Sequence, residues 1–404
     1  MKLIYVVGTC DTKQDELFYT CEAIRASGGT ARLVDVGTRS EGQADVSNET
    51  VAAHHPLGSS AALGQTDRNV ALEAMGDALA TYLSQQSDLG GVIGLGGSGN
   101  TGMVTRAMRA LPIGLPKVMV STIASGDVSP YVGESDIFMV SPITDIAGLN
   151  RINRGILGNA AAAVTAMTAR RADFGDAMQK PEIGLTQFGV TTNCVDAVRS
   201  KLSDRFECLS FHATGTGGRT LEKLVSSGLL TAVIDLTTTE IADHIVGGVL
   251  SAGERRLDAI ATSGTPCVLS LGALDIVNFW APETIPESFA DRLFHMHNPE
   301  VTLMRTSAVE CTEIGRWIAR KLNKCNGPVL ILAPMGGFSA LDAPGHPFWN
   351  PEADEALVAA LESTLELGAN RQIKRLDCNI NDLNFATMVT TALDEVLEQA
   401  GEST

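Results

Sequence analysis

Short apolar runs that end in glycine or small polar residues, and pass at once into helix-like segments, recur along this 404-residue chain. The clearest reads Gly91-Val92-Ile93-Gly94-Leu95-Gly96-Gly97-Ser98-Gly99-Asn100-Thr101, followed by Gly102-Met103-Val104-Thr105-Arg106-Ala107-Met108. A short apolar run bounded by glycine and followed by helical spacing reads as a buried strand entering a helix. Repetition of that unit implies parallel strands joined by crossover helices, which cover both faces of the sheet. The expected fold class is α/β, with two Rossmann-like domains built on mostly parallel sheets.

In the first half, strand-like runs at 3–8, 30–36, 117–121 and 136–140 alternate with helical spacing at 13–27, 68–84 and 148–171. The polar stretch 37–66 has no regular period. Arg170-Arg171-Ala172-Asp173-Phe174-Gly175-Asp176 breaks the pattern, which places a boundary near residue 180. A nucleotide-binding domain is expected over 1–180 and a second α/β domain, with a substrate pocket, over 181–404. The second half restarts with a strand at 182–188 and a helix at 191–202. Further strand-like runs follow at 208–211, 232–236, 268–271, 329–332 and 372–376, and a helix at 381–400 closes the chain. Each half is long enough to bury its own core.

A net charge of −17 argues against nucleic acid as a general partner and against an anionic membrane surface. It leaves room for a phosphate ligand, because a local helix N-terminus outweighs distant carboxylates. The eight cysteines form no C-x-x-C pair, so they read as reduced thiols of a cytoplasmic protein rather than zinc or redox sites. The start, Met1-Lys2-Leu3-Ile4-Tyr5-Val6-Val7-Gly8, reads as a strand without a cleavable signal, and no apolar stretch is long enough to span a bilayer.

Gly96, Gly97, Ser98, Gly99, Asn100 and Thr101 form the candidate phosphate cradle. Glycines allow close backbone approach, the N–H groups at a helix start favour an anion, and the Ser98 and Thr101 hydroxyls add donors. Gly94, Gly96 and Gly99 match G-x-G-x-x-G, but the acid expected about 20 residues later to hold a ribose is missing. Gly94 and Gly99 have Walker spacing, but Asn100 stands where the lysine belongs. The type of phosphate stays open. Gly8-Thr9-Cys10-Asp11-Thr12-Lys13 ends the first strand on the same expected edge, with Thr9, Asp11 and Thr12 as caps or ligand contacts and Lys13 as an anion contact. Asp35 ends the second strand, where an acid can bond a ribose hydroxyl or simply close a surface turn.

In the second half, Phe211-His212-Ala213-Thr214-Gly215-Thr216-Gly217-Gly218-Arg219 is another glycine-rich strand end, with His212 as a candidate acid/base. Asp235-Leu236-Thr237-Thr238-Thr239-Glu240 and Gly272-Ala273-Leu274-Asp275 end two further strands. Together they suggest one shared pocket with Asp235 and Glu240 as catalytic carboxylates. Arg305 can hold a carboxylate bidentately, or pair with Glu310 or Glu313. His295 and His297 would share a strand face, but no third ligand accompanies them, so no metal site is expected. The loop carrying Asp342, His346 and Trp349 reads as a lid or a passive connection.

These segments, with His297-Asn298-Pro299, resemble the Tm-one-like ATP-binding domain family in order and over nearly the whole chain. The resemblance implies an ATP site in the first domain, with phosphates on Gly96–Thr101 and near Thr9–Lys13. It also implies a two-domain α/β architecture and self-association as a dimer or tetramer. ATP with Mg²⁺, acting on an unidentified small carboxylate or hydroxy acid, is the expected chemistry. An ATP-regulated oligomer without catalysis and an ATP-independent lyase or hydrolase are the alternatives.

Overall fold

The structure, a computed structural model, describes residues 2–39, 42–170 and 180–402. It divides into two compact units, Met1–Ala177 and Met178–Thr404. Apart from Arg170, the expected break at 170–176 lies outside the described residues.

The first unit runs β1 (Leu3–Gly8), α1 (Cys10–Ala26), β2 (Ala31–Asp35), α2 (Asn48–Ala52), α3 (Arg68–Ser84), β3 (Leu89–Gly96), α4 (Ser98–Ala110), β4 (Lys117–Ser121), α5 (Ser129–Val132), β5 (Phe138–Val140) and α6 (Arg151–Arg170). Its strands form one parallel sheet in the order β2-β1-β3-β4-β5. Side chains alternate across a strand, and here both sets are apolar. Tyr5, Val7 and Val92 pack with Met75, Leu79, Val104 and Met108 of α3 and α4. Ile4, Val6, Ile93 and Leu95 pack on the opposite face with Leu17, Ile24, Leu157 and Val164 of α1 and α6. That two-sided burial is why all eight residues of β3 are inaccessible and why its sequence shows no polar alternation. The aperiodic stretch 37–66 contains the short α2, capped by Ser47, whose hydroxyl accepts from the Thr50 N–H.

The second unit runs β6 (Glu182–Gln187), α7 (Thr192–Leu202), β7 (Glu207–His212), α8 (Thr216–Ser226), β8 (Ala232–Thr237), α9 (Thr239–Val246), α10 (Asp258–Ser263), β9 (Cys267–Gly272), β10 (Ile276–Phe279), β11 (Phe294–Asn298), β12 (Val301–Arg305), α11 (Ala308–Leu322), β13 (Val329–Pro334), α12 (Pro351–Thr364), β14 (Arg371–Leu376) and α13 (Leu383–Glu402). Six strands form a parallel sheet in the order β14-β13-β9-β8-β6-β7. Val233, Leu269 and Ile331 face one core and Ile234, Val268 and Leu332 the other. A separate antiparallel sheet, β10-β12-β11, was not legible from the alternation. Its edge strand, β11, is half-exposed and polar, which hides the strand period.

Both parallel sheets place their second strand outside the first and reverse winding between the first and third, at β1/β3 and at β6/β8. The two halves share this topology without a visible sequence repeat. Open α/β sheets bind ligands outside the carboxyl ends of the strands at that reversal point.

Candidate functional site

In the first unit the reversal point lies between Gly8, which ends β1, and Gly96, which ends β3. The two predicted phosphate loops are therefore neighbours on the carboxyl edge of one sheet. The glycines divide their work. A Cβ on Gly94 would stand 2.7 Å from Met119 Sδ and from Val104 Cγ1, so Gly94 lets α4 lie close on the sheet. A Cβ on Gly96 would stand 2.6 Å from Asn100 Cβ. On Gly97 it would meet nothing nearer than Thr122 Oγ1 at 3.7 Å. Gly97 is the residue that leaves room above the loop.

Gly97 caps α4 with extended backbone and no side-chain cap. The N–H groups that open a helix have no intrahelical acceptor, so those following Gly97 remain directed off the helix end. Ser98 is exposed there. Asn100 and Thr101 are buried, and the expectation of a Thr101 hydroxyl donor is corrected by the geometry. The Thr101 hydroxyl donates to the Gly97 carbonyl at 2.9 Å and shares a hydrogen bond with the Ser121 hydroxyl at 2.6 Å. The Asn100 amide donates to the Leu95 carbonyl, while its Oδ1 has no partner among the described residues. The cradle is thus backbone, with Ser98 alone adding an accessible hydroxyl.

Beside it, Thr9 and Thr12 share a hydroxyl–hydroxyl contact of 2.8 Å, and Asp11 is exposed in the first turn of α1. Lys13 departs from helical geometry and donates its ammonium to the Ile146 carbonyl. It ties the β1 loop to the segment that follows β5. Asp35 is fully buried and accepts from the N–H groups of Cys10 at 2.9 Å, Gly37 at 2.9 Å and Gly42 at 3.0 Å. It fixes the start of α1 and the loop after β2, and is not free to hold a ribose. Burial, with Asp35 beside it, pushes the Cys10 thiol up to about 12, so Cys10 is no nucleophile.

A cavity of about 360 Å³ opens at the ends of β4 and β5, lined by Thr122, Ser125, Ser141, Thr144 and Asp145 with Ile143 at its edge. Thr122 joins this cavity to Gly97. Sequence reading missed these residues, although extending the strand-end rule to β4 and β5 finds them.

The second unit treats the same place differently. Its reversal point, between β6 and β8, is filled by its own side chains. Thr237 bonds the Thr191 hydroxyl at 2.8 Å, Thr238 donates to Ser270 O at 3.1 Å, and Thr239 donates to Ile276 O at 3.1 Å. Glu240 Oε1 accepts from the N–H groups of Gly215 at 2.7 Å and Gly218 at 2.9 Å. An internal carboxylate therefore occupies the N-terminus of α8, where the sequence suggested an anion cradle. Arg256 is enclosed among three carboxylates: Asp235 at 2.7 Å, Glu240 at 3.0 Å and Glu222 at 3.4 Å. Burial raises the Glu240 and Glu222 carboxyls, opposed by the Arg256 charge. Asp235 and Glu240 are fully buried structural partners, not residues lining an open pocket. Arg256 carries no local sequence signal; it sits in an irregular connection far from its partners along the chain.

Arg305 is likewise inward. It donates to Phe348 O at 2.8 Å, to the Thr306 hydroxyl at 2.7 Å and to Asp354 at 2.6 Å. Neither Glu310 nor Glu313 is its partner, since Glu310 pairs with Arg292 at 2.6 Å. Arg305 anchors the loop containing Asp342, His346 and Trp349, which is a pinned connection rather than a lid. Asp275, Asp342 and Asp354 surround this one cation, and burial with the neighbouring Asp342 pushes Asp275 up to about 7 and Asp354 up to about 8. His212 is exposed at the end of the edge strand β7, its Nδ1 3.1 Å from the Gln187 carbonyl. It does not join Asp235 or Glu240 in a cavity. His295 and His297 share β11, and among the described residues no three His, Cys, Asp or Glu side chains group as metal ligands. A cavity of about 600 Å³ in this unit lies at the opposite, amino end of its sheet between Lys180, Arg199, Ser203 and Glu207.

Residues 2–173 match the model of the N-terminal domain of an uncharacterised protein family, UPF0261, and residues 180–397 match its C-terminal domain. A UPF0261 protein of Rhizobium meliloti is 55% identical over 397 residues, covering 98% of this chain and 99% of the relative. One from Clostridium tetani is 42% identical over 404 residues, covering 98% and 100%. The ToMV resistance protein Tm-1(GCR237) of Solanum lycopersicum is 41% identical over 418 residues. That match covers 97% of this chain and 55% of the plant protein.

Proposed function

The chain belongs to the UPF0261 family, and from that premise we propose that its first unit binds ATP on the carboxyl edge of its sheet. The phosphates lie on the N–H groups that follow Gly97, with Thr9, Asp11, Thr12 and Lys13 alongside. The observation that carries this reading is the contrast between two equivalent places. The β1/β3 reversal point is lined by glycines with open space over Gly97, whereas the β6/β8 point is filled by the hydrogen-bonded side chains of Thr237, Thr238 and Thr239. Mg²⁺ arrives with the nucleotide, held chiefly by phosphates and water, and Asp11 is the exposed carboxylate nearest to hand along the chain.

The enclosed state of Asp235, Glu240 and Arg305 favours ATP as a bound ligand of a self-associating protein over ATP-driven chemistry on a small carboxylate in the second unit. No helix among the described residues is long and apolar enough to cross a membrane. Eight free cysteines suit the reducing cytoplasm proposed as its location. The antiviral property in the plant relative's name belongs to that protein.

Calorimetry with Mg-ATP on wild type and Gly97→Val tests the site. The added side chain enters open space, so the fold survives and the phosphates are displaced. Wild type is expected to bind and the variant to lose at least tenfold in affinity. Equal affinity in both overturns the reading.

A further inference from the structure

The cavity next to the glycine loop has a chemistry distinct from the loop itself. Thr122, Ser125, Ser141 and Thr144 contribute hydroxyls and Asp145 a carboxylate, and neither lysine nor arginine lines it. A carboxylate in a lining without lysine or arginine disfavours phosphate there. It accepts hydrogen bonds from hydroxyls, while serine and threonine hydroxyls both donate and accept. The cavity therefore suits a neutral group rich in hydroxyls. Yet it adjoins the anion-favouring helix end, since Thr122 Oγ1 is 3.7 Å from where a Cβ on Gly97 would stand. The wall itself is held in an unusual shape. Ile143 is a β-branched residue at φ 64°, and it is 76% exposed, so its own burial does not account for that conformation. The wall is tied down beyond it by Lys13 on the Ile146 carbonyl and by the Asn150 amide on the Thr144 hydroxyl at 3.4 Å.

We infer that the site takes its ligand in one orientation, with phosphates on the N–H groups after Gly97 and the vicinal hydroxyls of a ribose in the cavity, where Asp145 accepts from them. This rests on the ATP reading and adds the ligand's direction and the group that reads its sugar. An acid at the end of the second strand is the usual ribose partner in such sheets. Here that acid, Asp35, is consumed by three backbone N–H groups, and Asp145 takes the role from beyond β5.

The experiment is calorimetry with three probes, Mg-ATP, Mg-2′,3′-dideoxy-ATP and inorganic tripolyphosphate, on wild type, Asp145→Ala and Asp145→Asn. Asp145 is exposed, so thermal melts of both variants are expected to match wild type. Wild type is expected to prefer ATP over the dideoxy nucleotide by tenfold or more, since a site built for hydroxyls rejects a ligand lacking them. Asp145→Ala is expected to erase that preference by weakening ATP alone, with Asp145→Asn between the two. A wild type that does not discriminate, or an Asp145→Ala protein that still does, overturns the inference while leaving phosphate binding standing. If wild type binds neither tripolyphosphate nor ATP, the ATP reading fails and this inference fails with it.

Discussion

Arg256→Met is expected to destabilise the second unit severely. Arg256 is 1% exposed and bonds Asp235, Glu240 and Glu222, two of which are fully buried. Methionine fills much of the space but supplies no charge. Removing one member of a buried ion pair costs about 3–5 kcal/mol, because the partner charge stays buried without compensation. Three carboxylates lose their cation here, and Asp235 Oδ2 already has no hydrogen-bond partner among the described residues, so the upper end of that range is expected. For a domain of this size about 2–4 °C is lost per kcal/mol, so the upper end gives a fall of about 10–20 °C in melting temperature.

The pH dependence separates this cause from lost packing. Burial already raises Glu240 and Glu222 in the folded protein, and Arg256 opposes that rise. Without Arg256 their folded pKa values climb further above the unfolded value of about 4.3. The folded variant then binds more protons than the unfolded chain over the range between those values. Its stability therefore falls as pH rises through that window, and the gap to wild type is small near pH 5 and large near pH 8. Urea unfolding at both pH values reads the gap, and Arg256→Lys, which keeps the charge but not the fork, is expected to fall between. A gap under about 1 kcal/mol at pH 8, or an equal gap at both pH values, would refute the reasoning.

Gly218→Ala places a methyl 2.0 Å from Glu240 Oε2 and 2.7 Å from Arg256 Nε, so it is expected to cost about 1–3 kcal/mol in a urea melt. Gly94→Ala, 2.7 Å from Met119 and Val104, is expected to cost a similar amount, whereas Gly97→Val is expected to stay within about 1 kcal/mol of wild type. Asp275, raised to about 7 in the fold, contributes stability that is complete below its unfolded pKa and lost as pH rises toward 7. Asp275→Asn mimics the protonated form and is expected to flatten the decline in stability between pH 5 and pH 8; an unchanged slope would remove Asp275 as its source.

The parallel sheets were legible because burial on both faces removes polar alternation from β3, β8, β9 and β13, leaving apolar runs that end in Gly, Thr or Pro. The order of the strands was not legible, since nothing in a strand's own residues names its neighbour. The antiparallel β10-β12-β11 sheet escaped for a related reason: β11 is half-exposed, and Phe-His-Met-His-Asn carries no clean period. At the sites, residue type was legible but direction was not. Asp35, Asp235, Glu240 and Arg305 are candidates for facing a ligand because each stands at or near a strand end, where ligands bind, with a surface turn as the alternative for Asp35 and an ion pair for Arg305. A strand-end acid points outward or inward according to its partners. Those partners are the backbone N–H groups of Cys10, Gly37 and Gly42 for Asp35, those of Gly215 and Gly218 for Glu240, and the Arg256 guanidinium for Asp235.

The two reversal points also explain each other. A helix start leaves N–H groups unsatisfied, and an α/β fold must answer them at every crossover. The second unit answers at α8 with Glu240, a buried carboxylate that then needs Arg256, which in turn draws in Asp235 and Glu222. One internal anion thus brings with it a whole charged network, and Gly218 leaves the space it fills. In the first unit the space over Gly97 is open, and α4 has no side-chain cap among the described residues. On the proposed reading, an anion supplied from outside would satisfy α4 without such a network. The same fold, used twice in one chain, answers a helix start with its own side chains in the second unit and leaves open space above one in the first.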